Sequence, residues 1–297
     1  MSEIGPYLPE DFDEIWARTL AESQTVALDY HRSLKNDFDL PGFIVEEVSF
    51  AGMTGRVEGW FAYPEGERRC PSFLWVPPYG RESLLPNQYG TRQGFASLSL
   101  NFHGLGAFHQ EKYAVERGYF AQGADDPETW IFRRMFQDAA IALRVLQAQI
   151  EVDEDRIGAM GMSQGAGIAI WLGAHSPIVK AVCADMPFLS GINHTLTKTV
   201  YRYPLKEVRD FMESIPLGEA RVLNTLSYFD TINQATRCNK PAHVSLGLKD
   251  PACRPETVRA VYDALPGKKE LAVYDWGHDW HPDMVENNRR WLIENMP

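Results

Sequence analysis

The stretch RIGAMGMSQGAGIAIW, residues 156–171, has the motif G-x-S-x-G at its centre, with Ser163 between Gly161 and Gly165. An apolar run precedes the motif and a run of small residues follows it, which predicts a strand that turns sharply into a helix. A serine on such a turn is a candidate nucleophile. In a chain with 23 glycines, the alternative is a glycine-rich crossover that carries no chemistry.

The residues around Ser163 favour the catalytic interpretation on steric grounds. A side chain held out of a tight turn needs small neighbours, and glycines stand two residues away on either side. The turn also places the N-terminus of the next helix beside the serine, where free N–H groups can stabilise an oxyanion. The sequence therefore predicts that Ser163 is a nucleophile and that the backbone N–H of Gln164 is an oxyanion donor.

Short apolar runs on both sides of the motif predict a mostly parallel sheet, because such runs are typical of strands buried on both faces. They occur at residues 72–76, 95–102, 156–162, 178–184, 242–248 and 270–274. Helical patterns lie between them or follow them, at 132–150, 255–267 and 283–296. This alternation implies crossover connections, so we expect an α/β fold with helices on both faces of the sheet.

The remaining stretches complete the predicted organisation. Apolar residues on one face of residues 12–20 predict an N-terminal helix, and residues 43–64 predict an antiparallel hairpin. Two stretches without strand signals, at about 103–130 and 185–237, are predicted insertions that cover a site or form an interface. The second is predicted to be helical and to follow the sixth strand. We expect a single domain over residues 1–297, with the helix and hairpin in 1–64.

A serine hydroxyl is a weak nucleophile without a base, and that base needs a third group to orient it. Where the serine lies on an elbow of this kind, the acid follows it along the chain and the histidine comes last. Asp250 lies just past the predicted strand 242–248, and His278 lies in the loop after the last predicted strand. Both are at carboxyl ends of parallel strands, where open α/β sheets bind ligands. They are the predicted acid and base.

Two other residues are alternatives for these roles. Asp185 follows an earlier predicted strand, but the residues after it are more typical of an entry to the second insertion. His281 lies three residues after His278, and Gly277 makes a tighter turn available just before His278. Asp250 and His278 are therefore preferred.

The oxyanion hole needs a second N–H donor, which the loop after the third predicted strand supplies in such folds. That loop is WVPPYGRES at residues 75–83. Pro77 and Pro78 have no N–H group. Tyr79 is therefore the first residue of the loop that can donate, and its ring can also line the pocket.

Charge and cysteine content exclude several classes of function. The net charge of −11 gives no basic footprint for a nucleic acid. The first 15 residues are acidic and lack the features of a signal peptide, and no apolar run reaches the roughly 18 residues of a membrane span. The four cysteines are scattered without ligand spacing. We therefore expect reduced thiols, a cytoplasmic location, and no metal or cofactor.

Together these residues resemble the acetyl xylan esterase / cephalosporin-C deacetylase family of carbohydrate esterases, in the α/β-hydrolase superfamily, over nearly the whole chain. The elbow GMSQGAGIAI is similar to the family's G-x-S-Q-G-G elbow. The segments SYFDTIN, GLKDPACRP and YDWGH continue the similarity in the family's order.

The resemblance implies an α/β-hydrolase that removes acetyl groups from small acetylated sugars and related esters, in the cytoplasm, without a metal, and often as a hexamer. It implies a triad of Ser163, Asp250 and His278, with oxyanion donors at the backbone N–H groups of Tyr79 and Gln164. These are the residues that the strand positions also indicate. The implied partner is a small-molecule ester.

The chain departs from the family pattern after the fourth predicted strand, where His103-Gly104-Leu105 stands in place of Arg-Gly-Gln. The family motif supports the active-site region, so this change bears on acyl specificity more than on hydrolysis. Two departures are milder: Ala166 in the elbow, and Asp279 where the family usually has Glu. The first insertion is also shorter than usual.

The expected function is therefore a serine esterase that hydrolyses acetyl or other short-chain esters through an acyl-enzyme. Two alternatives stay open. One is an enzyme of the same family that cleaves a bulkier acyl ester or another carbonyl compound, because His103 and Leu105 reshape the pocket. The other is a binding protein that kept the fold without the activity.

Overall fold

The computed structural model describes residues 4–66, 69–111, 118–197 and 202–297. Nine strands in these residues form one sheet: β1 (Tyr30–Leu34), β2 (Phe43–Ala51), β3 (Arg56–Pro64), β4 (Cys70–Val76), β5 (Ala96–Asn101), β6 (Val152–Met162), β7 (Ala181–Asp185), β8 (Ala242–Gly247) and β9 (Lys269–Tyr274). They lie in the order β1-β2-β3-β5-β4-β6-β7-β8-β9. Neighbours from β5 to β9 in this order are parallel, whereas β1, β2 and β3 form an antiparallel end. The predicted mostly parallel sheet is confirmed.

Helices cover both faces of the sheet. Those of the described residues are α1 (Phe12–Thr25), α2 (Ile131–Gln147), α3 (Gln164–His175), α4 (Ile192–Leu196), α5 (Leu205–Ser214), α6 (Gly218–Phe229), α7 (Thr231–Ala235), α8 (Pro255–Ala264) and α9 (Asp283–Asn295). Because side chains alternate along a strand, β4 contributes to both faces. Leu74 and Val76 pack in the core cluster that contains α1, α2 and α3, while Phe73 and Trp75 pack in the cluster that contains Trp291 of α9.

The N-terminal part has the predicted helix and hairpin. Phe12, Ile15, Trp16 and Thr19 are buried on one face of α1, whereas Leu20 is half-buried. The strands β2 and β3 pair in antiparallel register around the predicted turn. The sheet has one strand more than predicted, β1. Its sequence YHRSL has no apolar run and no buried face, so the sequence gives no strand signal there.

The second insertion contains the helices α4 to α7 between β7 and β8, which confirms its helical character. It follows the seventh strand rather than the sixth, because β1 adds one strand to the count. In the described part of the first insertion, residues 103–111 and 118–130 form neither helix nor strand. Three parts of the predicted regions lie outside the described residues: 1–3, 112–117 and 198–201.

Two further features concern the cysteines and the helices of the described residues. All four cysteines are buried with free thiols. Across residues 4–66, 69–111, 118–197 and 202–297, the helices lack the combination of length and apolar character that a membrane span requires.

Candidate active site

Ser163 lies on a sharp turn between β6 and α3, which we call the elbow (residues 161–165). Its backbone has φ 57° and ψ −119°, a strained conformation for a residue with a side chain. A Cβ atom on Gly165 would overlap the carbonyl oxygen of Val76 in β4, and one on Gly161 would overlap the backbone of Gly165. Glycine is therefore required at both positions for the strand and the helix to come this close.

Backbone hydrogen bonds hold the serine in this conformation. The N–H of Ser163 donates to the carbonyl of Asp185 at 2.9 Å, and the carbonyl of Ser163 accepts from Phe188 at 2.9 Å. The same carbonyl accepts from Ala166 and Gly167 at 3.1 and 3.2 Å. Ser163 is 5% exposed and lines a cavity.

Asp250 and His278 form a hydrogen-bonded pair beyond the ends of β8 and β9. The Nδ1 atom of His278 lies 2.7 Å from Oδ2 of Asp250. The other carboxylate oxygen accepts from the N–H groups of Ala252 and Cys253 at 2.7 and 2.8 Å. Asp250 is buried, and its carboxylate, which has three N–H partners, fixes the orientation of the imidazole. The remaining ring nitrogen, Nε2, makes no bond to Asp250, so it can accept a proton.

Ser163 and His278 line the same cavity, whose volume is about 300 Å³. In the described residues, however, the Ser163 hydroxyl makes no hydrogen bond to His278; its partner is the thiol of Cys253 at 4.0 Å. Burial raises the pKa of the Cys253 thiol well above its usual value, so that thiol is protonated. The predicted acid–base contact is thus present and the predicted serine–histidine contact is not. Catalytic hydrogen bonds often tighten only when substrate is bound.

The two predicted oxyanion donors lie on segments that meet at this cavity. Gln164 is the first residue of α3, where a helix has no internal partner for its N–H group. Tyr79 lines the cavity from the segment after β4, which we call the oxyanion loop (residues 79–83) after its predicted role. The role of the two N–H groups stays a prediction.

Tyr119, from the first insertion, connects these two segments and was not predicted. Its hydroxyl accepts from the N–H of Gly80 at 3.2 Å and donates to Oε1 of Gln164 at 2.9 Å. His103, the first residue of the motif that departs from the family pattern, has its ring 4.3 Å from that of Tyr119. The flanking sequence offers no periodicity that would have singled out Tyr119.

Other walls of the cavity come from the second insertion and from the segment after β9. The first group consists of Phe188, Arg202, Tyr203 and Pro204, and the second includes Asp279 and Trp280. Sequence reasoning expected the insertion to cover a site without naming these residues. Their one sequence signal is the aromatic content of the two segments.

The two alternative residues make other contacts. The carboxylate of Asp185 is buried and accepts from Ser245 Oγ and Asn288 Nδ2, both at 2.7 Å. His281 stacks on Tyr274 and accepts from the N–H of Asp283 at 3.2 Å. Both residues are thus bonded away from the cavity.

One set of side chains has the composition of a metal site. Donor atoms of Asp250, Cys253 and His278 all lie within 4.8 Å of one another. The carboxylate already accepts from the imidazole and two backbone N–H groups, and the thiol is protonated. The set therefore fits an acid–base pair better than a metal centre, which needs deprotonated ligands.

Comparisons with known proteins agree over nearly the full length of the chain. The model of the acetyl xylan esterase (AXE1) family matches residues 5–294. The solved acetyl xylan esterase from Paenibacillus sp. R4 is 26% identical, with a TM-score of 0.88 over 99% of this chain and 97% of that one. Acetyl xylan esterase 1 from Thermoanaerobacterium sp. JW/SL YS485 is 28% identical, with a TM-score of 0.84 over 100% of this chain and 96% of that one.

A curated relative is longer than this chain. Acetyl esterase Axe7A from Xylanibacter ruminicola is 22% identical over 291 residues, which cover 93% of this chain and 65% of that enzyme. The chain thus spans less than two thirds of that relative.

Proposed function

The chain belongs to the acetyl xylan esterase family, and from that premise we propose that it is a serine esterase. It removes acetyl or other short acyl groups from small esters such as acetylated sugars. The observation that carries the proposal is the Asp250–His278 pair, held at 2.7 Å beside the cavity that Ser163 lines.

The proposed reaction begins with a small rotation of the Ser163 side chain from Cys253 toward His278. Nε2 of His278 takes the hydroxyl proton as Ser163 attacks the ester carbonyl, and Asp250 stabilises the imidazolium. The N–H groups of Tyr79 and Gln164 stabilise the negative oxygen of the tetrahedral intermediate. His278 then protonates the departing alcohol, and water frees the acyl group from Ser163 by the same steps.

The cavity supports a small substrate. A volume of about 300 Å³ is at the lower end of the range for small-molecule sites. His103 and Leu105 are not among the residues that line the cavity in the described part of the chain. The ring of His103 instead contacts that of Tyr119. This arrangement supports a short acyl group over the bulkier-acyl alternative.

The first experiment is hydrolysis of p-nitrophenyl acetate by the wild-type chain and by Ser163→Ala. We expect turnover to fall to the background rate because the nucleophile is lost, with an unchanged melting temperature. A fluorophosphonate probe should label the wild type and not the variant. Full activity of Ser163→Ala would refute the proposal, and the absence of both activity and labelling in the wild type would favour a binding protein.

The second experiment is a series of acyl chain lengths on one leaving group. We expect kcat/KM to decrease steeply from acetyl to butyryl and longer esters, because the cavity has little room for additional methylenes. Acetylated xylose and cephalosporin C then test whether the alcohol is a sugar or a bulkier ring system. A preference for butyryl or longer chains would select the bulkier-acyl alternative.

The remaining proposals concern the whole chain. We propose that residues 1–297 act as one domain, in the cytoplasm and without a metal or cofactor, and that the chain forms a homo-oligomer, with a hexamer expected from the resemblance. Light scattering after size-exclusion chromatography measures the oligomer. Undiminished hydrolysis after treatment with EDTA is expected if no metal is involved.

A further inference from the structure

The proposed oxyanion hole is assembled from two distant parts of the sequence. One N–H group belongs to Tyr79, three residues after the end of β4 at Val76, and the other to Gln164, at the start of α3. Electrostatic stabilisation of an oxyanion requires both donors within about 0.5 Å of their working positions. Something must therefore hold the oxyanion loop against the elbow.

The Tyr119 hydroxyl makes this connection. It accepts from the N–H of Gly80, the residue after Tyr79, at 3.2 Å, and donates to Oε1 of Gln164 at 2.9 Å. Tyr119 is 3% exposed, so water does not compete effectively for these bonds. The Tyr119 hydroxyl thus bonds the residue next to Tyr79 and the side chain of Gln164.

The ring of Tyr119 also contacts the oxyanion loop. Its centroid lies 4.7 Å from that of Tyr79 and 4.3 Å from that of His103. Nε2 of His103 lies 3.1 Å from the carbonyl oxygen of Gly80. Burial, with the charges of Arg81 and Arg134, lowers the pKa of His103 to about 4, so the ring is neutral at neutral pH and donates its Nε2 proton. Gly80 is thereby held at both its N–H and its carbonyl.

On the elbow side, the Gln164 side chain depends on the same hydroxyl. Gln164 is 1% exposed, and in the described part of the chain its Nε2 atom has no hydrogen-bond partner. Without the Tyr119 hydroxyl, both polar atoms of a buried amide would be unsatisfied, which favours movement of the side chain. The backbone N–H of Gln164 would move with it.

We infer that Tyr119 is a positioning residue of the esterase: its hydroxyl bridges Gly80 and Gln164 and sets the spacing of the two N–H groups that stabilise the oxyanion. The inference rests on the proposed function. It assigns a catalytic purpose to the first insertion, and it explains how His103 supports the site in this chain by packing on Tyr119 and bonding Gly80.

The test is Tyr119→Phe, which removes the hydroxyl and retains the ring. Loss of a direct oxyanion donor lowers rates by roughly 100-fold or more, so we expect a decrease of about 10-fold in kcat for a group that acts through two donors. KM should stay unchanged, because the oxyanion does not exist in the ground state. The inhibition constant of phenylboronic acid, which adds to the serine as a tetrahedral anion, should rise by about the same factor.

The matched control is Tyr228→Phe, which removes a hydroxyl that donates to Asp11 at 2.6 Å, remote from the cavity. We expect unchanged kcat and unchanged boronate affinity. A cycle that combines Tyr119→Phe with Gln164→Leu tests the bridge itself. The effect of Tyr119→Phe should be smaller in the Gln164→Leu background, because one of the two bonds is already lost.

Three outcomes would overturn the inference: unchanged kcat and boronate affinity in Tyr119→Phe, a lower melting temperature with unchanged kinetics, or full additivity in the cycle. Each leaves the proposed function in place as long as Ser163→Ala is inactive and the wild type is active. Activity of Ser163→Ala would instead refute the proposed function itself.

Discussion

The two sides of the candidate site, the elbow and the oxyanion loop, are held in place by different means. The elbow is fixed by backbone contacts, since Gly165 packs directly on the carbonyl of Val76 and strand hydrogen bonds lock the turn. The oxyanion loop has one backbone bond of this kind, from the N–H of Ser83 to the carbonyl of His109 at 2.7 Å, and is otherwise held by side chains. Asn101 donates to the carbonyl of Arg81 at 2.8 Å, and Gln110 donates to that of Ser83 at 2.8 Å. Tyr119 joins one side to the other.

This difference decides how each side responds to change. A close contact between backbones cannot accommodate an added methyl group, because a closely packed interior leaves no space for one. A set of side-chain hydrogen bonds shares the constraint, so removal of one bond leaves the others in place. We therefore expect large losses of activity from substitutions in the elbow and graded losses from substitutions around the oxyanion loop.

Among variants that keep Ser163, the largest effect is expected from Asp250→Asn. This substitution alters neither the elbow nor the oxyanion loop, so it measures a purely chemical loss. An amide cannot stabilise the imidazolium or hold the same tautomer, so kcat should fall by about 10³- to 10⁴-fold. The melting temperature should change little, because Asn keeps an oxygen for the N–H groups of Ala252 and Cys253. The initial rate of p-nitrophenyl acetate hydrolysis measures the decrease in kcat. A decrease of less than tenfold would assign the acid role to another residue.

The elbow is tested by Gly165→Ala. The new methyl group overlaps the Val76 carbonyl, so α3 must move away from β4 and carry Ser163 with it. A displacement of about 1 Å lowers rates by about 100-fold, and overpacking destabilises the fold by roughly 1–3 kcal/mol. Activity and urea unfolding measure the two effects.

Gly106→Ala, near the oxyanion loop, is the matched control for that variant. An added Cβ meets no atom within 4 Å there, and the backbone is not in the left-handed region. We expect both activity and stability to stay within experimental error of the wild type. Equal losses in the two variants would show that the elbow is no more constrained than the loop.

The oxyanion loop is tested by Asn101→Ala. Asn101 is 2% exposed and donates to Arg81 O and to Ser83 Oγ, at 2.8 and 3.0 Å. The Oδ1 atom of Asn101 also accepts from the N–H of His103 at 2.9 Å. Loss of these bonds should lower kcat by less than tenfold, because Tyr119 still holds Gly80, and should destabilise the fold by about 1–3 kcal/mol. Asn239→Ala, which removes a long surface hydrogen bond, is the control. A loss as large as that of Gly165→Ala would contradict the graded response.

The same contrast explains what could be predicted from the sequence. The parallel strands were predicted to within a few residues because each contains a short, mostly apolar run. The elbow was predicted because its glycines stand two residues from the serine on either side. The family resemblance and the α/β-hydrolase fold are confirmed. The strand β1 was not predicted, because an edge strand with one exposed face carries no apolar run.

Within the site, the missed residues act over long separations in the chain. Tyr119 lies 39 residues from Gly80 and 45 from Gln164, in a segment without periodicity. Cys253 follows the predicted acid by three residues, yet its thiol contacts Ser163, 90 residues away. Such contacts depend on how loops pack, which local sequence patterns do not encode.

The smallest effect is the part of the pH dependence of stability that comes from His103, which bonds the oxyanion loop at Gly80. The pKa of His103 is lowered from 6.5 to about 4 by burial and by the charges of Arg81 and Arg134. Between these two pKa values the unfolded chain binds a proton that the folded chain does not, so His103 makes stability fall as the pH decreases from about 6.5 toward 4. The contribution is about 1 kcal/mol between pH 7 and pH 5.5. His103→Gln, which can still donate to Gly80, removes this part of the slope in urea unfolding. An identical slope in the variant would show that His103 has the same pKa in the folded and the unfolded chain, which would contradict a lowered pKa in the folded state.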